Sequence, residues 1–447
     1  MTIAEAAPRL AKGELKSEKL TEDCLSKIEE LNAKLNAFIT VTAEDALASA
    51  RKADKEIAAG RYLGPLHGIP VSLKDLLDQK GLPTTAASSV RRDHVADADA
   101  VVTARLRKAG AVFVGKTNLH EFAFGTTSED SAFGPARNPK DPTRSPGGSS
   151  GGSAIAIATG MSLGTVGTDT GGSIRIPAAA CGVVGFKPEW GQVSAAGVVP
   201  LSRQLDHVGP LAASVTDAWI QYNAMLPGEL RVGAQLEPTP VKGLRLGMMS
   251  GYLFDRIDAD VERVTLAAIE SLRKAGATIT EVALPHATDM PAIYLHLVFG
   301  DAAEYHARTL VSRPQDYTPN VRLRLEMARY VLAEDYIRAL RGKAIITSEI
   351  DRALDGVDAL VLPTLSIPAP PIGAATMPVK GGPDAVRTLM LRCTQPFNLS
   401  GHPAISLPSG TTPAGLPIGL QLAGHKGKTP ALVQAALAVE RLIANAG

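Results

Sequence analysis

The strongest constraint on what this chain can fold into is a repeated change of hydrophobic period. From Gly68 onward, short β-rich apolar runs at 69–73, 111–114, 244–249, 278–282 and 359–362 alternate with helical stretches at 99–109 and 258–275. A strand that is apolar on both sides must be covered on both sides, so this order predicts an α/β fold with helices on both faces of a sheet. The hexapeptide Leu-Arg-Lys-Ala-Gly-Ala occurs at 106–111 and again at 272–277. Each copy places cationic side chains in the last turn of a helix, against the negative dipole end, and then a glycine where the chain leaves for the next strand. The first sixty residues read as helices instead: Cys24, Leu25, Ile28, Leu31 and Leu35 fall at three- and four-residue spacings, and 43–59 is Ala-rich with interleaved charges. That amino-terminal segment is expected to pack outside the core, within a single unit of residues 1–447.

Composition narrows the function classes. The chain carries 46 Lys plus Arg against 45 Asp plus Glu, a net charge of +1 that argues against a nucleic-acid or polyanion partner. The amino terminus lacks the uninterrupted apolar segment of a secretory signal, and no uncharged apolar run reaches membrane-spanning length, so no membrane association is expected. Cys24, Cys181 and Cys393, odd in number and widely separated, make neither a disulfide framework nor a zinc-ligand pattern. The histidines show no HxH or HExxH spacing that would suggest a metal. A reducing, cytoplasmic location is the expectation.

Two motif matches carry poor physics. Residues 110–117 read GAVFVGKT, which fits the phosphate-loop expression and is the only support for an ATP-binding enzyme. A phosphate loop follows a strand and bends so that its amides converge on an anion, whereas here Gly110 ends a helix and Ala-Val-Phe-Val favours a buried strand. Gly147-Gly148-Ser149-Ser150-Gly151 fits the G-x-S-x-G nucleophile elbow, with His207 and His402 as candidate bases. The elbow needs an apolar strand immediately before it, and the Pro-rich, charged run 138–146 cannot be a central strand.

The third constellation is far more specific. It joins Lys74, in Gly68-Ile69-Pro70-Val71-Ser72-Leu73-Lys74-Asp75, to the block Pro146-Gly147-Gly148-Ser149-Ser150-Gly151-Gly152-Ser153 and to Gly167-Thr168-Asp169-Thr170-Gly171-Gly172-Ser173-Ile174-Arg175. In these blocks the sequence resembles the amidase signature family, densely over 64–209. Val361-Leu362-Pro363-Thr364 and Gly415-Leu416-Pro417-Ile418-Gly419-Leu420-Gln421 extend the resemblance over nearly the whole chain. The resemblance implies a single large mixed β-sheet core flanked by helices on both faces, and a hydrolase acting on amide-type C–N bonds through an acyl-enzyme. It also implies roles: Ser173 as nucleophile, Ser149 as the bridging serine on a cis Gly148-Ser149 peptide, and Lys74 as terminal base and acid.

The residues themselves support that chemistry. A lysine takes a proton from serine only when neutral, and at an unperturbed pKa near 10.4 roughly one in 2,500 is neutral at pH 7. Burial must therefore strip the charge, and Lys74 ends an apolar run and precedes Leu76 and Leu77. Asp75 would work against this if it faced the amine, so it is expected to point elsewhere. Thr170, Gly171 and Gly172 offer successive backbone amides for an oxyanion hole. Asp169 and Arg175 flank that turn and are expected to brace it, with Thr168 orienting the serines and Ser150 and Ser153 supporting them. No metal or organic cofactor is required.

Two readings stay open within the family. The leading one is a stand-alone hydrolase, monomeric or homodimeric, acting on small-molecule amides, with aryl amides and carbamates (urethanes) as candidate substrates. The other is the glutaminase subunit of a tRNA-dependent amidotransferase, whose pattern 125–131 echoes. A non-catalytic scaffold would lose one of Lys74, Ser149 and Ser173, and all three are present. Segments 122–133, 199–206 and 294–305 are candidate pocket walls, with Phe124, Phe299 and Leu365 as possible lining. The Pro-rich stretch 363–383 reads as either a lid or a solvated connection.

Overall fold

A computed structural model describes residues 1–233 and 235–446. Its strands are β1 (Phe38–Val41), β2 (Pro70–Lys74), β3 (Val112–Thr117), β4 (Gly164–Asp169), β5 (Val184–Lys187), β6 (His207–Ala212), β7 (Arg245–Met249), β8 (Thr278–Val282), β9 (Ala359–Pro363), β10 (Thr376–Met377), β11 (Asp384–Ala385), β12 (Ala404–Thr411) and β13 (Pro417–Ala423). One sheet of 11 strands runs in the order β1-β3-β2-β4-β6-β5-β12-β13-β9-β7-β8, and β10 pairs with β11 in a separate hairpin. The sheet is mixed. β2 is parallel to β3 and β4, β7 is parallel to β8 and β9, and the block between β4 and β9 is antiparallel.

Both faces are covered, as the alternation of periods predicts. Val71, Leu73, Phe113 and Val361 pack on one side with Leu10, Val102, Trp219 and Ile269. These four come from the helices Ile3–Ala11, Val101–Lys108, Val215–Met225 and Ala259–Lys274. On the other side Val112 and Val114 meet Ile155 and Ala178, from the helices Gly151–Thr159 and Arg175–Cys181. Leu360 and Leu362 meet Met290 and Ile346 there, from Met290–Ser312 and Ala333–Ala353. Each fully buried aliphatic side chain contributes roughly 1.5–3 kcal/mol relative to leaving it in water. Both copies of the repeated hexapeptide end a helix as expected, with Gly110 at φ +85 and Gly276 at φ +97.

The amino-terminal segment departs from the all-helical reading. Between the helices Ser17–Leu35 and Ala43–Ala58, β1 joins the sheet edge antiparallel to β3, and Phe38 is buried beside Val114. Four residues are too few to reveal a period, although Phe-Ile-Thr-Val are strand formers. This segment is therefore part of the core. The Pro-rich stretch divides: residues 364–370 are buried, whereas 371–383 run over the surface through β10 towards β11. No helix among the described residues is long and apolar enough to cross a membrane.

Candidate active site

The parallel strands β2 and β4 end side by side, Leu73 opposite Val166, and the candidate residues gather beyond their carboxyl ends. Lys74 is the last residue of β2, and Thr168 and Asp169 are the last of β4. Lys74 is fully buried, and its Nζ lies 2.7 Å from Ser149 Oγ and 2.7 Å from Thr168 Oγ1. Among the described residues no carboxylate comes within 4.0 Å of that amine. Burial pushes its pKa down from 10.5 to about 7, against the weaker opposing pull of Asp206 and Asp169. Near neutrality about half of such amines are free bases, so the three-unit shift demanded by the chemistry is present. Asp75 points elsewhere, as expected: Lys116 Nζ lies 2.8 Å from its Oδ1, while Thr85 donates its backbone N–H (3.0 Å) and its hydroxyl to Oδ2.

Ser149 and Ser173 approach from two loops. Ser149 lies just before the helix Gly151–Thr159, and its peptide bond with Gly148 is cis. Ser173 sits in the turn between β4 and the helix Arg175–Cys181 and is 5% exposed, whereas Ser149 is fully buried. Ser150 ties the loops together, its N–H donating to Ser173 O (3.2 Å) and its hydroxyl to Thr168 O (3.2 Å). Ser153 shares a 2.8 Å hydrogen bond with Thr117. Among the described residues no hydrogen bond joins Ser149 to Ser173; such links commonly tighten only when substrate is bound.

The turn 170–173 carries backbone donors that the protein leaves unused: the N–H groups of Thr170, Gly171, Gly172 and Ser173 donate to no acceptor among the described residues. A Cβ on Gly171 would lie 2.4 Å from Tyr294 Oη and 2.8 Å from Leu391 Cδ2, so a side chain there would destroy the turn's packing. Thr394 donates its hydroxyl to Gly171 O at 2.6 Å. Asp169 and Arg175, both fully buried, form a two-pronged pair (Nε to Oδ2 3.0 Å, Nη2 to Oδ1 2.9 Å). Asp169 also accepts from the Ile174 N–H (3.1 Å) and Asn398 Nδ2 (2.7 Å). Burial alone would raise the Asp169 pKa, but the Arg175 charge and hydrogen bonds, with Lys187 and Asn398, hold it well below the usual carboxylate range. Thr170 donates to Asp206 Oδ1 at 2.6 Å, and burial raises the Asp206 pKa to about 6.

The rival motifs have other employment. Lys116 of GAVFVGKT lies on β3 and is occupied by Asp75, Pro83 O (3.1 Å) and Thr84 Oγ1 (3.2 Å), which leaves no phosphate cradle. In the elbow match Ser149 bonds to Lys74 rather than to a histidine, and no strand precedes it. His207 Nδ1 contacts Leu205 O (2.7 Å) and Asp169 O (3.2 Å), and His402 pairs with Asp351 at 3.0 Å. Phe124, Phe299 and Leu365 are all buried, Phe124 edge-to-face with Phe299 at 5.6 Å. Tyr294 belongs to the expected pocket wall 294–305, whereas Asn398, Thr394 and Lys187 were not singled out by sequence reasoning. The available signal was a polar residue inside an apolar run, as in Pro396-Phe397-Asn398-Leu399.

The comparisons with known proteins identify the family and the fold. The family described as Amidase matches residues 19–433. The A subunit of the glutamyl-tRNA(Gln) amidotransferase of Geobacter metallireducens is 38% identical over 479 residues, covering 99% of this chain and 97% of its own. Among solved structures, one described as an amidase superposes with a TM-score of 0.93 at 36% identity and 99% coverage of both chains. The A subunit of the glutamyl-tRNA(Gln) amidotransferase of Thermotoga maritima superposes with a TM-score of 0.80 at 31% identity, covering 99% of this chain and 94% of its own.

Proposed function

We propose that this chain, which belongs to the amidase signature family of amide C–N hydrolases, works as a free-standing hydrolase of small linear amides, aryl amides and carbamates included. The observation that carries the reading is the fully buried Lys74 amine, with a pKa of about 7, hydrogen-bonded to Ser149 in the loop beside Ser173.

In this reading the Ser173 proton passes to Ser149 Oγ as the Ser149 proton passes to neutral Lys74, and Ser173 Oγ attacks the amide carbonyl. The oxygen of the tetrahedral intermediate gathers negative charge against the free N–H groups of the turn Thr170, Gly171, Gly172 and Ser173; one such donor is typically worth about 3–4 kcal/mol. Lys74 returns a proton through Ser149 to the nitrogen, which leaves as an amine because an amide anion is a poor leaving group. Water then attacks the acyl-Ser173 ester by the same route in reverse, releasing the acid. Thr168 orients the lysine, Ser150 ties the serine loops together, and Asp169 with Arg175 fixes the turn that presents the amides.

A second reading, a glutaminase subunit that hands ammonia to a partner, draws on the named relatives in Geobacter metallireducens and Thermotoga maritima. The higher superposition on the amidase favours the free-standing role. The test is ammonia or arylamine release by the purified chain from glutamine, neutral aryl amides and carbamates, with Ser173→Ala as control. Turnover of neutral amides supports the proposal, and turnover of glutamine alone replaces it with the second reading.

A further inference from the structure

Beside the oxyanion turn lie two hydrogen-bond donors that no acceptor among the described residues uses. Tyr294 is 5% exposed, and its hydroxyl packs against Gly171 without a hydrogen-bond partner among the described residues. Arg387 lies on the short helix Val386–Leu391, four residues before Leu391, the side chain that also packs on Gly171. Side chains four apart share a helix face, which puts Arg387 on the side of the helix that carries Leu391, and the Arg387 charge acts on the Tyr294 hydroxyl. The Arg387 guanidinium is half-buried above the Phe124 ring, 5.7 Å from its centroid. Among the described residues it donates no hydrogen bond and has no carboxylate within 4.0 Å.

A second guanidinium aggravates the imbalance. Arg324 donates to the Phe124 carbonyl at 2.6 Å, and burial together with the Arg387 charge pushes its pKa down to about 10. The acid of this neighbourhood, Asp130, is committed to His120 (3.1 Å) and Asn320 (3.1 Å). Two neighbouring guanidiniums, one of them over the Phe124 ring, repel each other, and a bound anion relieves that cost. A guanidinium prefers a planar, two-oxygen acceptor, and a phenol hydroxyl adds a third donor.

Resting on the amide-hydrolase reading above, we propose that Arg387 and the Tyr294 hydroxyl receive a carboxylate carried by the substrate, so that the amides cleaved best are monoamides of short diacids. The chain between amide and carboxylate is short because Tyr294 Oη touches the turn that holds the oxyanion donors. A free ammonium on the substrate is disfavoured, since it would enter beside Arg387 and Arg324.

The test follows ammonia release from glutaramate, from pentanamide, which replaces the carboxylate by a methyl group, and from glutamine, which adds an ammonium. Wild type is expected to favour glutaramate over pentanamide by about 10- to 100-fold in kcat/KM, the range for a charge-assisted hydrogen bond, and glutaramate over glutamine. Arg387→Met should bring the glutaramate-to-pentanamide ratio close to one, Arg387→Lys should restore part of it, and Tyr294→Phe should lower it less. A wild-type ratio near one, or a ratio that survives in Arg387→Met, overturns the proposal while leaving amide hydrolysis standing. Calorimetric titration of glutarate into the Ser173→Ala protein reads the same pocket without turnover. Affinity should fall at least about tenfold when Arg387→Met is added, and an unchanged affinity overturns the proposal even if no amide is cleaved.

Discussion

Lys74 ends β2 and Lys116 is the next-to-last residue of the neighbouring parallel strand β3, one register position apart, and both are fully buried, yet they do opposite things. Leu73 is paired with Lys116 and Lys74 with Thr117, so the two amines leave the sheet on opposite faces. Lys74 meets only hydroxyls, while Lys116 meets the carboxylate of Asp75, the residue that follows Lys74 in the chain. A bulge decides this: the register passes from Val71 opposite Phe113 to Ser72 opposite Gly115, skipping Val114 and reversing the face of every later β3 residue. Gly115, at φ +150, permits it, and a Cβ there would lie 2.2 Å from Thr40 O on β1. One buried lysine is paired with a carboxylate inside the fold, and the other is left with hydroxyl partners alone.

Substitutions should break the two lysines apart, and the largest effect belongs to the site. Lys74→Met and Ser173→Ala are expected to lower kcat by about 10⁴-fold or more while thermal melts stay cooperative. Lys116→Met should act on folding instead. It leaves Asp75 buried without its partner, a loss of about 3–5 kcal/mol by denaturant titration, and adding Asp75→Leu should recover much of it. A folded but inactive Lys116→Met beside an active Lys74→Met would reverse the comparison.

Ser149→Ala should lose about 10²- to 10³-fold in kcat, a smaller drop than Lys74→Met because water can stand in for the hydroxyl. The pH profile sharpens the contrast further. Since the free base of Lys74 is the active form and its pKa is about 7, kcat/KM should rise about tenfold per pH unit below 7 and level off above it. The remnant in Lys74→Met should lack that limb.

The smallest effect is on stability. The folded pKa of Lys74 lies below its unfolded value, so between about 7 and 10.5 the unfolded chain binds the extra proton. Wild type should therefore gain stability relative to Lys74→Met as pH rises through that window, seen as converging or crossing denaturant midpoints measured from pH 6 to 9. A pH-independent difference would mean that the amine is not desolvated.

Much of the fold was legible because period is a local property. β2, β3, β7, β8 and β9, with the helices Val101–Lys108 and Ala259–Lys274, lie where apolar runs and the repeated hexapeptide place them. β1 was not, since four residues hold no period and its pairing with β3 is a long-range event. In the site, Lys74, Ser149, Ser150, Thr168 and the pair Asp169 and Arg175 gather as the blocks suggested. Asn398, Thr394 and Arg387 lie more than a hundred residues from those blocks, in segments with no recurring small residues to draw attention to them.

By itself the sequence determined the kinds of groups available: a lysine at the end of an apolar strand, serines in glycine-rich turns, and the order in which strands and helices arrive. The tertiary structure alone decided which lysine would lose its counter-charge, which way Asp75 would turn, and which unpaired donors would border the oxyanion turn. The reason is that a pKa and an unmet hydrogen bond depend on what lies within a few ångströms in space, and here a single skipped residue in β3 sets that distribution across the two faces of the sheet.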